Sequence, residues 1–164
     1  MKTKPNKIKF GFYVSCIIAL LILSGYLRDT VFKTINALLR AWDLDQDYFL
    51  PPFLSFLENY QYETLENLKW LLTLIFSLLY LILTIFSIKL FLKSSKYIKI
   101  AIFTYLGIIV ISGVFILIGL CFNSIAQKMY EFARYLMGMA QSPIILMILI
   151  PAFKLLEKEK NKTV

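Results

Sequence analysis

Apolar residues in this chain come in long runs separated by short polar breaks, not in the alternation of strands. Phe10 to Leu27, Trp70 to Leu92 and Ile100 to Phe122 are each long enough to cross a hydrocarbon core of about 30 Å, which takes roughly 20 helical residues. A fourth run is interrupted at Gln141, Ser142 and Pro143 and closes on "IILMILIPAF". The pattern predicts an all-α integral membrane protein, a single membrane domain over 1–164, with four transmembrane helices. The first three occupy 10–27, 70–92 and 100–122. Within 124–153 an outer amphipathic turn, opened by Ser124 with Gln127 three residues on, continues into the fourth, and a basic cytoplasmic tail follows over 154–164.

The one sizeable polar segment is the loop 28–69. Val31, Phe32, Ile35, Leu38, Leu39 and Trp42 recur at the spacing of one helical face, so an amphipathic helix is expected over 30–42, capped by Asp29 or Thr30. Phe32 and Trp42 on its apolar side are candidate contacts for lipid, for the bundle or for a partner protein. The stretch that follows, "WDLDQDYFLPPF", spaces Asp43, Asp45 and Asp47 as a calcium loop does. Such a loop needs Gly at its sixth position and a bidentate Glu at its twelfth; Tyr48 and Leu54 stand there instead. A polar break is expected and a metal site is not.

Composition supports the membrane reading. Of 164 residues 59% are hydrophobic and 17% charged, with mean hydropathy +0.72, too little polar surface for a soluble domain of this size. The charge is also unevenly placed. Lys2, Lys4, Lys7 and Lys9 precede the first run, Lys89, Lys93, Lys96 and Lys99 lie between the second and third, and Lys154, Lys158, Lys160 and Lys162 follow the fourth. Eight of the ten acids lie on the other side. Lys and Arg are retained on the cytoplasmic side of short loops, so both termini are expected in the cytoplasm and 28–69 in the periplasm. The net charge of +8 then reads as a topology signal and attraction to anionic headgroups, not nucleic-acid binding. "LSGYLRD" offers no small-residue cleavage site after the first run, so that run is expected to stay. Cys16 and Cys121 fall at different depths and are not expected to bridge.

Lipid gives no reason to place hydroxyls outward, so polar faces mark protein contacts. Thr73, Ser77, Tyr80, Thr84 and Ser87 share one face of the second helix; Ala101, Thr104, Ser112 and Gly119 share one face of the third, and the two strips suit each other. The fourth segment carries Gln127, Glu131, Arg134, Gly138 and Gln141 within an arc of about 80° at 100° per residue. Arg134 is expected near the outer interface, free to pair with Glu131, and Gln141 about 10 Å deeper. Gln127, Glu131, Arg134 and Gln141 are the leading candidates for a partner-binding stripe. No Asp or Glu is expected inside any span.

The segment "ARYLMGMAQSPIILMILIPAF" (Ala133 to Phe153) resembles the closing helix of the small membrane proteins associated with exosortases, in particular those accompanying exosortase F and related systems of Gram-negative bacteria. An Arg-aromatic pair, a later Gln, a Pro, an aliphatic run and a terminal Pro-Ala-Phe recur there; Arg134, Tyr135, Gln141, Pro143, Pro151, Ala152 and Phe153 match. "LRDTVFKTINALL" is similar in position to the family's segment after helix one, without the Tyr-Asp-Pro expected in it. The resemblance implies residence in the bacterial inner membrane and an accessory or assembly role beside a sorting protease-transpeptidase, with no cofactor.

The chain contains no His, which removes the common general base and metal ligand. Catalysis is therefore not expected. The alternative class is a small transporter or lipid-handling protein, which calls for a polar site at the midplane between repeats; no internal repeat is visible.

Overall fold

The computed structural model describes residues 7–46, 48–92 and 94–160. Asp47 of the acidic triplet and Lys2, Lys4, Lys93 and Lys162 of the topology signal lie outside the described residues. Five α-helices follow one another: α1 (Lys7–Asp43), α2 (Tyr62–Phe91), α3 (Ser95–Cys121), α4 (Ala126–Ala140) and α5 (Ile144–Lys160). Short 3-10 helices, Pro52–Asn59 and Asn123–Ile125, sit in the two longer connections. The protein is all-α, and α1, α2 and α3 are each long and apolar enough to cross a membrane. With α4 and α5 counted as one broken crossing there are four, so this is a multi-pass membrane protein. It packs as two units, one ending at Phe76 and one beginning at Ser77.

In the first unit α1 runs without interruption over 37 residues, where the sequence suggested a span ending at Leu27 and a separate amphipathic helix over 30–42. The charged boundary does not break the helix because its polar groups are satisfied without leaving it. Ser24 Oγ donates to the carbonyl of Leu21 (3.1 Å), Thr30 Oγ1 to that of Tyr26 (2.8 Å), and Arg28 pairs with Asp29 (3.0 Å). Thr30 thus bonds back along a continuing helix and caps no new one. Gly25 costs only about 1 kcal/mol relative to Ala inside a helix.

The amphipathic face does exist, and it is the buried face of the far end of α1. Ile35, Leu38 and Leu39 pack with Leu54 and Leu57 of the first 3-10 helix and Leu65 of α2. The helix ends at the acidic stretch. Asp45 takes the left-handed conformation (φ 51°), Gln46 N–H donates to the Ala41 carbonyl (2.9 Å) and Asp45 N–H to that of Trp42 (3.4 Å). These two bonds are the paired closure of a Schellman turn, which needs a residue that tolerates positive φ. Pro51, extended at φ −57° and ψ 141°, leads into Pro52 at the start of the 3-10 helix, where a missing N–H costs nothing. The acidic loop of the sequence therefore shrinks to 44–61.

In the second unit α3 and α4 form a tight antiparallel hairpin joined by Asn123–Ile125. A Cβ added to Gly119 would lie 3.3 Å from both the Ala126 carbonyl oxygen and Met129 Cβ, and Phe115 stacks on Phe132 at 5.8 Å. Small residues recur every seven positions on both helices. Ser112 and Gly119 on α3 are buried, as are Ala133 and Ala140 on α4, with Ala126 half-buried. From the Gly119–Ala126 contact, steps of seven bring Ser112 level with Ala133 and Tyr105 level with Ala140. A seven-residue period keeps one seam facing the neighbour, and small side chains on it let the backbones approach.

The two polar strips of α2 and α3 therefore meet only in part. Thr84 Oγ1 and Tyr105 Oη are 3.1 Å apart, but Ser112 and Gly119 belong to the α4 seam. The expected single helix over 124–153 is instead two helices bent by 60°. Ser142-Pro143 starts the second: Ser142 Oγ accepts from Ile144 N–H (3.4 Å) and the first carbonyl bonded is that of Pro143, from Met147 N–H (2.9 Å). The Pro143 carbonyl thus opens α5 from the position just before its first residue, and Ser142 Oγ takes one of the N–H groups that the first turn leaves free. Midway along α5, Phe153 joins a cluster of Ile88, Leu92 and Ala101, with Tyr97 stacked on Phe153 at 4.6 Å and Lys154 Nζ 5.2 Å from the Phe91 ring centre.

Candidate functional site

The hairpin register sets the depth of the α4 stripe. Gly119, against Ala126, lies three residues inside Phe122, where the apolar run of α3 ends. Arg134 lies eight residues farther along α4, so it is about 16 Å below Phe122 at 1.5 Å per residue. That level is the middle of the 100–122 apolar run, beside Ile111, not the outer interface expected from the sequence. Glu131 is about 12 Å below Phe122 by the same measure.

Gln127, Glu131 and Arg134 are all exposed on the side of α4 turned away from its alanine seam, with Lys128 and Tyr135 beside them. Glu131 and Arg134 form no ion pair with each other. Where lipid covers the whole of this apolar run, that distance exceeds the reach of an arginine side chain. A charged side chain at the centre of a membrane helix costs about 2.5–3.5 kcal/mol, and such groups face a partner or a water-filled cavity. Lipid on this face would leave Arg134 unmatched, whereas Glu131 has Lys128 three residues before it on the same side.

Gln141 does not join the stripe. It is buried (3% exposed) at the C-terminal end of α4, its N–H donating to the Met137 carbonyl at 3.1 Å. The helix stops there and the chain turns through the 60° bend, so the face that carried Gln127, Glu131 and Arg134 is not continued. Phe32 and Trp42 stand elsewhere, on α1 in the first unit. Phe32 is half-buried against Phe76 (ring centres 6.0 Å apart), whereas Trp42 is exposed. Among the described residues no three His, Cys, Asp or Glu side chains gather as metal ligands.

Sequence reasoning passed over Tyr105, Ala126, Ala133 and Ala140. Their signal was present as a seven-residue period of small residues on either side of the turn, with Tyr105 in phase with Ser112 and Gly119. No family model, curated protein or solved structure matches the chain.

Proposed function

We propose that this chain is a non-catalytic membrane subunit that assembles with another integral membrane protein, the exposed face of α4 being covered in the complex. The observation that supports this reading is the exposure of Glu131 and Arg134 on a helix packed along the apolar length of α3. The partner's contribution is a carboxylate or carbonyl for Arg134 and a donor for Glu131. The resemblance of Ala133 to Phe153 to the exosortase-associated proteins makes an exosortase-type sorting enzyme of the bacterial inner membrane the partner of choice. The lysine asymmetry supports an orientation with both termini in the cytoplasm.

The test is partner recovery from mild detergent with Arg134→Leu and with Glu131→Leu plus Arg134→Leu. Insertion should be intact, because removing charge at depth eases partitioning. Association should fall by about 1.5–3 kcal/mol for the lost charge-assisted bond. Undiminished recovery of an exosortase with the double variant would remove the α4 face as its binding site.

The break at Gln141–Pro143 favours the second reading, a small transporter or lipid-handling protein, because transport sites are built at interrupted helices. On that reading a substrate or lipid would raise the melting temperature of the isolated protein, and Gln141→Leu would abolish the rise.

A further inference from the structure

The first 3-10 helix, Pro52–Asn59, carries three different surfaces. A 3-10 helix repeats every three residues, so side chains at i and i+3 lie in one row, and these residues sort by row. Leu54 and Leu57 are buried (5% and 1% exposed) with Ile35, Leu38 and Leu39 of α1 and Leu65 of α2. Phe53 and Phe56 form a second row, closed by Asn59, and are 59% and 54% exposed. Pro52, Ser55 and Glu58 form the third, also exposed, with Ser55 Oγ donating to the Pro52 carbonyl (3.0 Å). The leucine row holds the element in place and water suits the polar row. Two large rings in one row are left without an apolar neighbour, and burying each would be worth about 1.5–3 kcal/mol.

The packing gives the level of these rings. Leu65, in the same cluster as the leucine row, lies five residues outside Trp70, where the apolar run of α2 begins. Leu68 and Leu72, on either side of Trp70, pack on that cluster too. Five residues are about 7.5 Å at 1.5 Å per residue. The headgroup zone adds about 5–7.5 Å to each side of the hydrocarbon core, so Phe53 and Phe56 stand where aromatic rings collect at a membrane surface. Trp42 at the end of α1 and Trp70, Leu71 and Leu74 of α2 are exposed as well, so apolar side chains face outward from the same end of both helices.

Charge narrows the kind of lipid. The segment 41–68 contains six Asp and Glu and no Lys or Arg, and Asp43, Asp45, Glu58, Glu63 and Glu66 are exposed. Interfacial helices that bind anionic lipid carry Lys and Arg on their polar face; this composition is the opposite one. It suits headgroups that present an ammonium group and carry no net charge.

We propose that Pro52–Asn59 is an interfacial anchor, its phenylalanine row in the headgroup region of a zwitterionic leaflet and its Ser55–Glu58 row in water. Lipid surrounds the outward faces of a multi-pass protein at this level, and a partner protein would have to displace it to reach the rings. So seated, the helix fixes how far this end of α1 and α2 stands out of the membrane.

The test uses the full chain in phosphatidylcholine nanodiscs, with Cys16→Ala and Cys121→Ala as background. A nitroxide is placed in turn on Phe53→Cys, Phe56→Cys, Ser55→Cys and Glu58→Cys. Collisions with oxygen report lipid, and collisions with a nickel chelate report water. The labels at 53 and 56 should gain oxygen and lose nickel collisions relative to those at 55 and 58. Nickel collisions as frequent at 53 and 56 as at 55 and 58 would put the row in water and overturn the proposal. Loss of both kinds of collision at 53 and 56 would do the same, because protein then covers the row: a second copy where the loss grows with the protein-to-lipid ratio, the chain itself where it does not.

A label replaces the ring, so a second measurement keeps an aromatic side chain there. Phe56→Trp, with Trp42→Phe and Trp70→Phe, leaves a single tryptophan in the row. Bromine near the headgroup should quench it more than bromine at the end of the acyl chain, and equal or absent quenching would overturn the anchor. Anionic phosphatidylglycerol in place of the zwitterionic lipid should weaken the quenching at low salt, and high salt should restore it by screening. Unchanged or stronger quenching in the anionic lipid would overturn the choice of headgroup.

Discussion

Gly119→Ala adds one methyl group at the tightest point of the α3–α4 seam. The new Cβ would lie 3.3 Å from the Ala126 carbonyl oxygen and 3.3 Å from Met129 Cβ. Neither neighbour can give easily. Ala126 begins α4, only five residues from the end of α3, and the 3-10 helix Asn123–Ile125 ties the two ends together. Overpacking of this kind costs about 1–3 kcal/mol, offset by about 0.5–1 kcal/mol from replacing Gly by Ala within a helix. The net expectation is a loss of about 0.5–2 kcal/mol.

Two other glycines of the same helix separate the packing effect from the propensity effect. A Cβ at Gly107 or Gly113 meets nothing within 4 Å, so Gly107→Ala and Gly113→Ala should be stabilising by about 0.5–1 kcal/mol. The three variants should be compared by reversible unfolding in mixed micelles, with helix content and Cys121 accessibility as separate probes. If Gly119→Ala is as stable as the other two, the seam is not closed at Gly119 and the register that sets the depth of Arg134 is wrong.

Asp45 holds a left-handed conformation (φ 51°) that costs an ordinary L-residue about 1–2 kcal/mol. Asp45→Gly should therefore raise stability by about 0.5–1 kcal/mol and Asp45→Val should lower it, both read from the same unfolding transition; a destabilised Gly variant would point to a role for the carboxylate itself. Thr84 Oγ1 donates to the Tyr80 carbonyl (2.8 Å) and so accepts from Tyr105; Tyr105→Phe removes that second bond and should cost about 0.5–1.5 kcal/mol. Tyr80 is 1% exposed and its hydroxyl has no hydrogen-bond partner among the described residues, so Tyr80→Phe should be neutral or stabilising. Equal losses from the two phenylalanine variants would show that both hydroxyls are bonded in the membrane.

The runs 70–92 and 100–122 were legible as helices because crossing a membrane demands length and apolarity, and both are properties of contiguous sequence. α2 and α3 end within one residue of them but begin eight and five residues earlier. The amphipathic face Val31 to Leu39 was equally legible, since helical periodicity is local. Its continuity with the first span was not, because Arg28 and Asp29 look like an exit when read alone and neutralise each other within the helix. Ser142-Pro143 reads as a weak point in one helix, whereas a serine hydroxyl that accepts a first-turn N–H and a proline whose carbonyl takes the first bond are also the means of starting a new one.

What tertiary structure alone decided is depth. Composition and spacing place Arg134 on a face of α4 but not at a level in the bilayer. The level follows from a contact between Gly119 and Ala126 that slides α4 down the length of α3. Hydrophobic length tells each helix that it can cross, but the register between helices is set by which side chains interlock. That register turns charges placed by the sequence near an edge into charges that need a protein neighbour.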